Sequence, residues 1–256
     1  MGAFICRLVV GLLATVITAG CQAVAPRTAN AAGGSQPATR PRTVTVAGID
    51  CSRSYNMASS SMAILIDTVQ RELRADDVMY VRLIVARSYD EGAAYYTVKL
   101  PTLPPAPDNP YDKPGRARLR LAQQQVELVR AAGIRRLTDF RVADVPTASR
   151  EHTDIYGFLA KAGELLANVP DGVEKAVIIG TDGKDNAHQG LATIDLTNAR
   201  IIVFYFQSGA DVRRAQQLRE RWTAELTGFG AREVVFMDPS EGAGNGLIRP
   251  RTPSPE

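Results

Sequence analysis

Apolar runs of strand length recur along this chain, at residues 44–49 (Val-Thr-Val-Ala-Gly-Ile), 78–86, 176–179, 201–206 and 234–236. A run such as 201–206, apolar throughout, fits a strand covered on both faces, as in parallel sheets. Between the runs the period changes. Ala58, Met62, Leu65, Val69 and Leu73 recur every three or four positions, as do Phe158, Leu159, Ala162, Leu165, Leu166 and Val169 after Ile155. Ala215, Leu218, Trp222 and Leu226 follow Asp211, a residue suited to capping. Each set predicts a helix with one apolar face. Residues 93–100 read as an edge strand. A proline-rich loop over 101–114 then breaks both helix and ladder, and a basic amphipathic helix follows over 116–132, with Leu119, Ala122, Val126 and Val129 on one side and Arg116, Arg118 and Arg120 among its charges. The alternation predicts an α/β domain with a doubly wound, mostly parallel central sheet, helices on its flanks and one antiparallel edge strand. There is no internal repeat.

This pattern occupies residues 43–238 of 256, one domain large enough to bury a substantial core. The ends differ from it. Residues 1–20 read as an export signal, with Arg7 as the charge and an apolar run from Leu8 to Ile17 that is short for a bilayer span. The run closes on Thr18-Ala19-Gly20-Cys21, which resembles the lipobox of bacterial lipoproteins and implies lipidation of Cys21. An ordinary cleaved signal is the alternative. Residues 21–42, rich in Ala, Pro, Thr, Gly and Ser, read as a flexible tether, and 239–256 as a disordered tail. The chain is then anchored at a bacterial cell envelope, and Gln22 after the cysteine favours an outer membrane in a host with two. Cys6 leaves with the signal and Cys21 carries lipid, so Cys51 stands alone and no intrachain disulfide forms. The net charge of +3 is too small to imply nucleic acid as a partner.

Candidate chemistry sits where the first strand runs out. Asp50-Cys51-Ser52-Arg53-Ser54 places three short oxygen-bearing side chains at alternate positions. Hard divalent cations prefer such ligands, and ligand crevices of open α/β sheets lie at strand carboxyl ends. Two further segments fit the same picture: Thr153-Asp154 opening a helix, and Thr181-Asp182-Gly183 ending the strand at 176–179.

Together these segments resemble the von Willebrand factor type A family and its metal-ion-dependent adhesion site, over roughly residues 43–238. The resemblance implies Asp50, Ser52, Ser54, Thr153 and Asp182 as the set that holds Mg2+, or Mn2+ or Ca2+. Ser52, Ser54 and Thr153 would bind directly, and Asp50 and Asp182 directly or through water. Thr147 and Ser149 stand near Thr153 in the same loop. Two carboxylates only neutralise the ion, so an open position remains for an acidic residue of a partner protein. The resemblance implies cation-dependent protein binding or adhesion rather than an enzyme.

Other readings attach to the same residues. Ser52 and Ser54 can simply cap the next helix while Asp182-Gly183 forms a turn, which leaves a metal-independent scaffold. Thr181-Asp182-Gly183-Lys184-Asp185-Asn186 resembles the late acidic motif of haloacid dehalogenase phosphatases, yet those enzymes need a second aspartate two residues after the nucleophile, and here Ser52 follows Asp50. Asp185 and Asn186 extend the third loop and read as solvated turn residues, with orientation of Asp182 by hydrogen bonding as the alternative. Cys51 with His152 or His188 suggests a nucleophile pair, although no nucleophile elbow surrounds it and a buried small hydrophobe is the simpler description. The basic segment 116–136 suits either a solvated helix face or an anionic membrane surface.

Overall fold

The computed structural model describes residues 42–187, 193–204, 212–237 and 247–248. In chain order they form β1 (Thr43–Asp50), α1 (Ala58–Arg71), β2 (Val78–Ile84), β3 (Ala94–Lys99), α2 (Lys113–Thr138), α3 (Ile155–Ala167), β4 (Glu174–Gly180), β5 (Arg200–Phe204), α4 (Val212–Gly228) and β6 (Glu233–Met237). The strands make one sheet in the order β3-β2-β1-β4-β5-β6. Every pairing is parallel except β2 with β3, whose antiparallel edge is the one expected.

Strand order reverses between β1 and β4: the chain winds outward through β2 and β3 on one side and through β5 and β6 on the other. A doubly wound sheet opens its ligand crevice at such a switch, outside the strand carboxyl ends. The register makes those ends level, with Asp50 beside Ile84 of β2 and Ile49 beside Gly180 of β4. The turns after β1, β2 and β4 therefore leave from one edge.

Alternate residues of β1 divide between two cores, as the two-residue period of a strand requires. Ala47 and Ile49 join Leu65, Val69, Met79 and Ile178. Val44 and Val46 join Phe158, Leu159, Val177, Ile201 and Trp222 on the other face. Gly48 belongs to this second face, and a Cβ there would lie 2.6 Å from the Phe158 ring. Its bare backbone lets α3 seat flat on β1.

Several boundaries differ from the sequence reading. The second strand stops at Ile84 rather than 86 because the chain turns to bond with the segment before α3: Ala86 N–H donates to Ser149 O at 2.9 Å, and Asp154 N–H to Val85 O at 3.0 Å. The basic helix is longer than 116–132 at both ends. Asp112 Oδ1 accepts from Gly115 N–H at 2.9 Å and Pro114 sits in the first turn, so the helix starts earlier. Gly133 does not end it; it faces Val98, where a Cβ would approach to 2.9 Å, so the glycine allows α2 close onto β3. Arg116, Arg118 and Arg120 are exposed, as a solvated face requires.

Two residues of the expected disordered tail are in the core. Leu247 and Ile248 are buried, their N–H groups donate to the two carboxylate oxygens of Glu72 at 2.8 Å each, and Arg200 Nη1 donates to Leu247 O at 2.9 Å. The signal, the tether with Cys21, the cap at Asp211, His188 and the rest of the tail lie outside the described residues. Among the described residues no helix is long and apolar enough to cross a membrane.

Candidate metal centre at the sheet switch point

Asp50 ends β1 with no exposed surface. Its Oδ1 accepts from the Ser52 backbone N–H at 2.8 Å, and its Oδ2 accepts from Thr181 Oγ1 at 2.8 Å. The first bond bends the chain so that Ser52 and Ser54 present their hydroxyls together, Oγ to Oγ 3.3 Å. Ser52 is buried and Ser54 exposed, so the pair leads from interior to solvent. Neither serine caps the following helix: α1 begins after Met57, and no side chain bonds to its first N–H groups. That leaves the hydroxyls unused by the simplest structural alternative.

The second loop brings Thr153. Thr147 is exposed and Ser149 half-buried, whereas Thr153 is buried, so of these hydroxyl residues Thr153 is the one turned inward. Its Oγ1 has no hydrogen-bond partner among the described residues. A buried hydroxyl without one costs about 1–3 kcal/mol. The loop is tied to the first by Arg53 N–H to Arg150 O at 3.0 Å and by Arg150 Nε to Cys51 O at 3.1 Å.

Asp185 and Asn186 do not orient Asp182. They fasten the third loop to the second. Asn186 Oδ1 accepts from Thr153 N–H at 2.6 Å, Asn186 N–H returns to Thr153 O at 3.0 Å, and Asp185 Oδ1 accepts from Ile155 N–H at 2.7 Å. Asp154 caps α3 through Gly157 N–H at 2.8 Å and holds Ser88 N–H at 3.0 Å. Both flanks of Thr153 are thus fixed by side chains whose roles depend on tertiary contacts.

Among the described residues Asp182 is engaged by one, Lys184. Lys184 N–H donates to Oδ1 at 3.1 Å, and Lys184 Nζ to Oδ2 at 3.0 Å. Gly183 between them has φ +77°, a left-handed value that favours glycine, and its N–H donates to Thr181 Oγ1 at 3.1 Å. Trp222 Nε1 donates to Gly183 O at 3.0 Å, which pins the turn to α4.

Burial pushes the Asp50 carboxyl up to about 6, against the lowering effect of the hydrogen bonds from Ser52 and Thr181, and the Asp182 charge adds to the rise. Two carboxylates therefore share this edge with one lysine ammonium. Cys51 is buried, its Sγ directed at Ile49 O, and burial pushes its thiol up to about 12, so it is the inert hydrophobe expected rather than a nucleophile. His152 is exposed.

The donor set fits a hard divalent cation. Asp50 and Asp182 would supply charge, Ser52 and Ser54 a paired hydroxyl edge, and Thr153 a buried oxygen that no described residue satisfies. Asp50, Ser52 and Ser54 stand at the end of β1 and Asp182 at the end of β4, while Thr153 stands in the segment between α2 and α3, tied to the end of β2 by Asp154 N–H to Val85 O at 3.0 Å. Among the described residues no group of three or more His, Cys, Asp or Glu stands together as a metal cluster. Beside the loops, on the β3 side, lies a cavity of about 610 Å3. Val85, Tyr95, Phe140 and Val145 form its apolar wall, with Arg87 and Arg136 at the rim. Tyr95 and Phe140 meet edge to face at 5.3 Å.

No protein-family profile matches the chain, and no curated protein does. Among solved structures it is similar to an aerotolerance-related membrane protein from Bacteroides fragilis, at 14% identity over 78% of this chain and 93% of that one, TM-score 0.42. It is also similar to a von Willebrand factor type A structure from Catenulispora acidiphila, at 15% identity over 79% of this chain and 40% of that one, TM-score 0.39. A third is proximal thread matrix protein 1 of the mussel byssus, at 13% identity over 78% and 43%, TM-score 0.40. The chain spans less than half the length of the last two. At these scores the likenesses carry no argument about ligand or activity, and the fold class stands on the observed sheet. That sheet is doubly wound with one antiparallel edge strand, and Asp50-x-Ser52-x-Ser54 and Asp182 flank its switch point.

Proposed function

We propose that this chain is a lipoprotein, anchored through Cys21 at a bacterial envelope, whose domain holds a divalent cation and through it binds an acidic side chain of a protein partner. Asp50, Ser52, Ser54, Thr153 and Asp182 would hold the ion. The observation that carries the reading is Thr153 Oγ1, buried without a partner in a loop that is laced to the Asp50 loop on one side and the Asp182 loop on the other. When bound, the ion supplies an electrophilic centre that attracts a carboxylate. The chain's own residues do the rest: Thr181 and Ser52 hold Asp50 in place, and Asn186 holds Thr153. The cavity beside the loops offers apolar surface to the same partner.

This domain is a binding module rather than an enzyme. A dehalogenase-type phosphatase would need a second aspartate two residues after Asp50 as its general acid, and Ser52 stands there. The metal-independent scaffold keeps one observation in its favour, the Lys184 ammonium already paired with Asp182.

Titration calorimetry of the full chain with Mg2+, Mn2+ and Ca2+ tests the reading. Asp50→Ala should abolish binding, whereas Cys51→Ser, which leaves every hydroxyl and carboxylate in place, should largely spare it. Equal affinity in wild type and Asp50→Ala removes the site assignment.

A further inference from the structure

We propose that Lys184 is a built-in competitor for the cation: its ammonium occupies Asp182 Oδ2 in the cation-free domain and leaves when a divalent cation binds. The inference rests on the cation reading above. Its basis is the way one residue uses both oxygens of Asp182. Oδ1 receives the Lys184 backbone N–H at 3.1 Å, a bond set by the Gly183 turn, whose φ is +77° and whose carbonyl Trp222 holds. Oδ2 receives Nζ at 3.0 Å. The two bonds differ in permanence. The backbone bond is part of a pinned turn, while the ammonium sits on a four-carbon stem that can swing away without moving that turn.

Exposure says from which side the ammonium comes. The Asp182 side chain is 6% exposed and that of Lys184 60%, so Nζ reaches a nearly buried oxygen from solvent. A cation arriving from outside uses the same approach. In its absence the ammonium pairs with the charge of Asp182. Once a doubly charged ion lies between the two carboxylates, an ammonium on Oδ2 faces like charge at short range. Asp182 can satisfy one cation at that oxygen, and Lys184 turns outward. The device makes occupancy conditional: trace cation does not dislodge the lysine, whereas a higher concentration, or a partner carboxylate that captures the freed ammonium, does.

Manganese titration of the full chain, wild type against Lys184→Met and Lys184→Arg, tests this. Lys184→Met removes the competing charge and should bind Mn2+ about tenfold more tightly, the effect of deleting a nearby positive charge on a divalent ion. Lys184→Arg keeps the charge and should bind like wild type. Amine acylation read by mass spectrometry gives a second signal: Lys184 should label faster in Mn2+ than in chelator, with the lysines of α2 and β3 unchanged. Binding to the methionine variant alone supports both the competitor and the cation site. Equal affinity in wild type and Lys184→Met, with labelling of Lys184 indifferent to Mn2+, overturns the competitor and leaves the site standing. Absence of binding in all three chains overturns both.

Discussion

Thr181 Oγ1 donates to Asp50 Oδ2 at 2.8 Å, a bond between residues 131 positions apart that joins the two strand ends flanking the switch in strand order. It closes a chain of contacts, since the same Thr181 oxygen accepts Gly183 N–H and Asp50 Oδ1 holds Ser52 N–H. The first and third loops are one polar unit built on adjacent strands. Thr181→Val leaves Asp50 Oδ2 buried without its donor and should lower stability by about 1–3 kcal/mol in chemical denaturation, with Thr181→Ser close to wild type.

Asp50 sets a pH dependence whose sign is unusual for a carboxylate. Its folded value is about 6 against 3.8 for the unfolded chain, so the folded state binds the extra proton between these limits. Stability from this group is therefore greatest below pH 3.8 and is lost as pH rises through 6. In chelator, the stability of wild type relative to Asp50→Asn should fall by on the order of 3 kcal/mol across that window, at about 1.4 kcal/mol for each pH unit of difference. A difference that stays flat, or that grows with pH, contradicts the burial account.

Thr153 separates a structural hydroxyl from one kept for a ligand. In Thr153→Val a methyl replaces an oxygen that has no partner, so the cation-free domain should be as stable as wild type or more so, by up to about 1–3 kcal/mol. The same variant should lose most of its response to cation, and Thr153→Ser should keep it. Thermal unfolding with and without Mg2+ gives both readings from one set of samples.

What the sequence reveals here follows from what is local. Val44 to Ile49, polar at Thr45 alone, and Ile201 to Phe204, apolar throughout, read as strands because both faces are buried, and their alternation with helices gives the sheet its class. Asp50-x-Ser52-x-Ser54 is legible because its geometry is made within five residues. The clamp from Asp185 and Asn186 onto Thr153 and Ile155 is not, since it spans 30 and 33 positions and uses backbone groups that any residue supplies. Lys184 hides for the opposite reason: lysines two residues after an aspartate are common on surfaces, and only the burial of Asp182 gives this one meaning. Gly133 lies just past the helix expected over 116–132, and its place inside α2 shows only with Val98 against it. Leu247 and Ile248 are two apolar residues in a Gly-, Pro- and Ser-rich stretch, and the carboxylate that receives them belongs to Glu72, far away in the chain.

The central claim is that these loops form a cation site, and thermal unfolding of the full chain in chelator and then in millimolar Mg2+, Mn2+ or Ca2+, beside Asp50→Ala, tests it most directly. An ion that binds only the folded state raises stability by mass action, about 2.7 kcal/mol at a hundredfold excess over Kd. The account predicts a cation-dependent rise in Tm for wild type that is lost in Asp50→Ala. The same rise in both chains, or none in either, contradicts it.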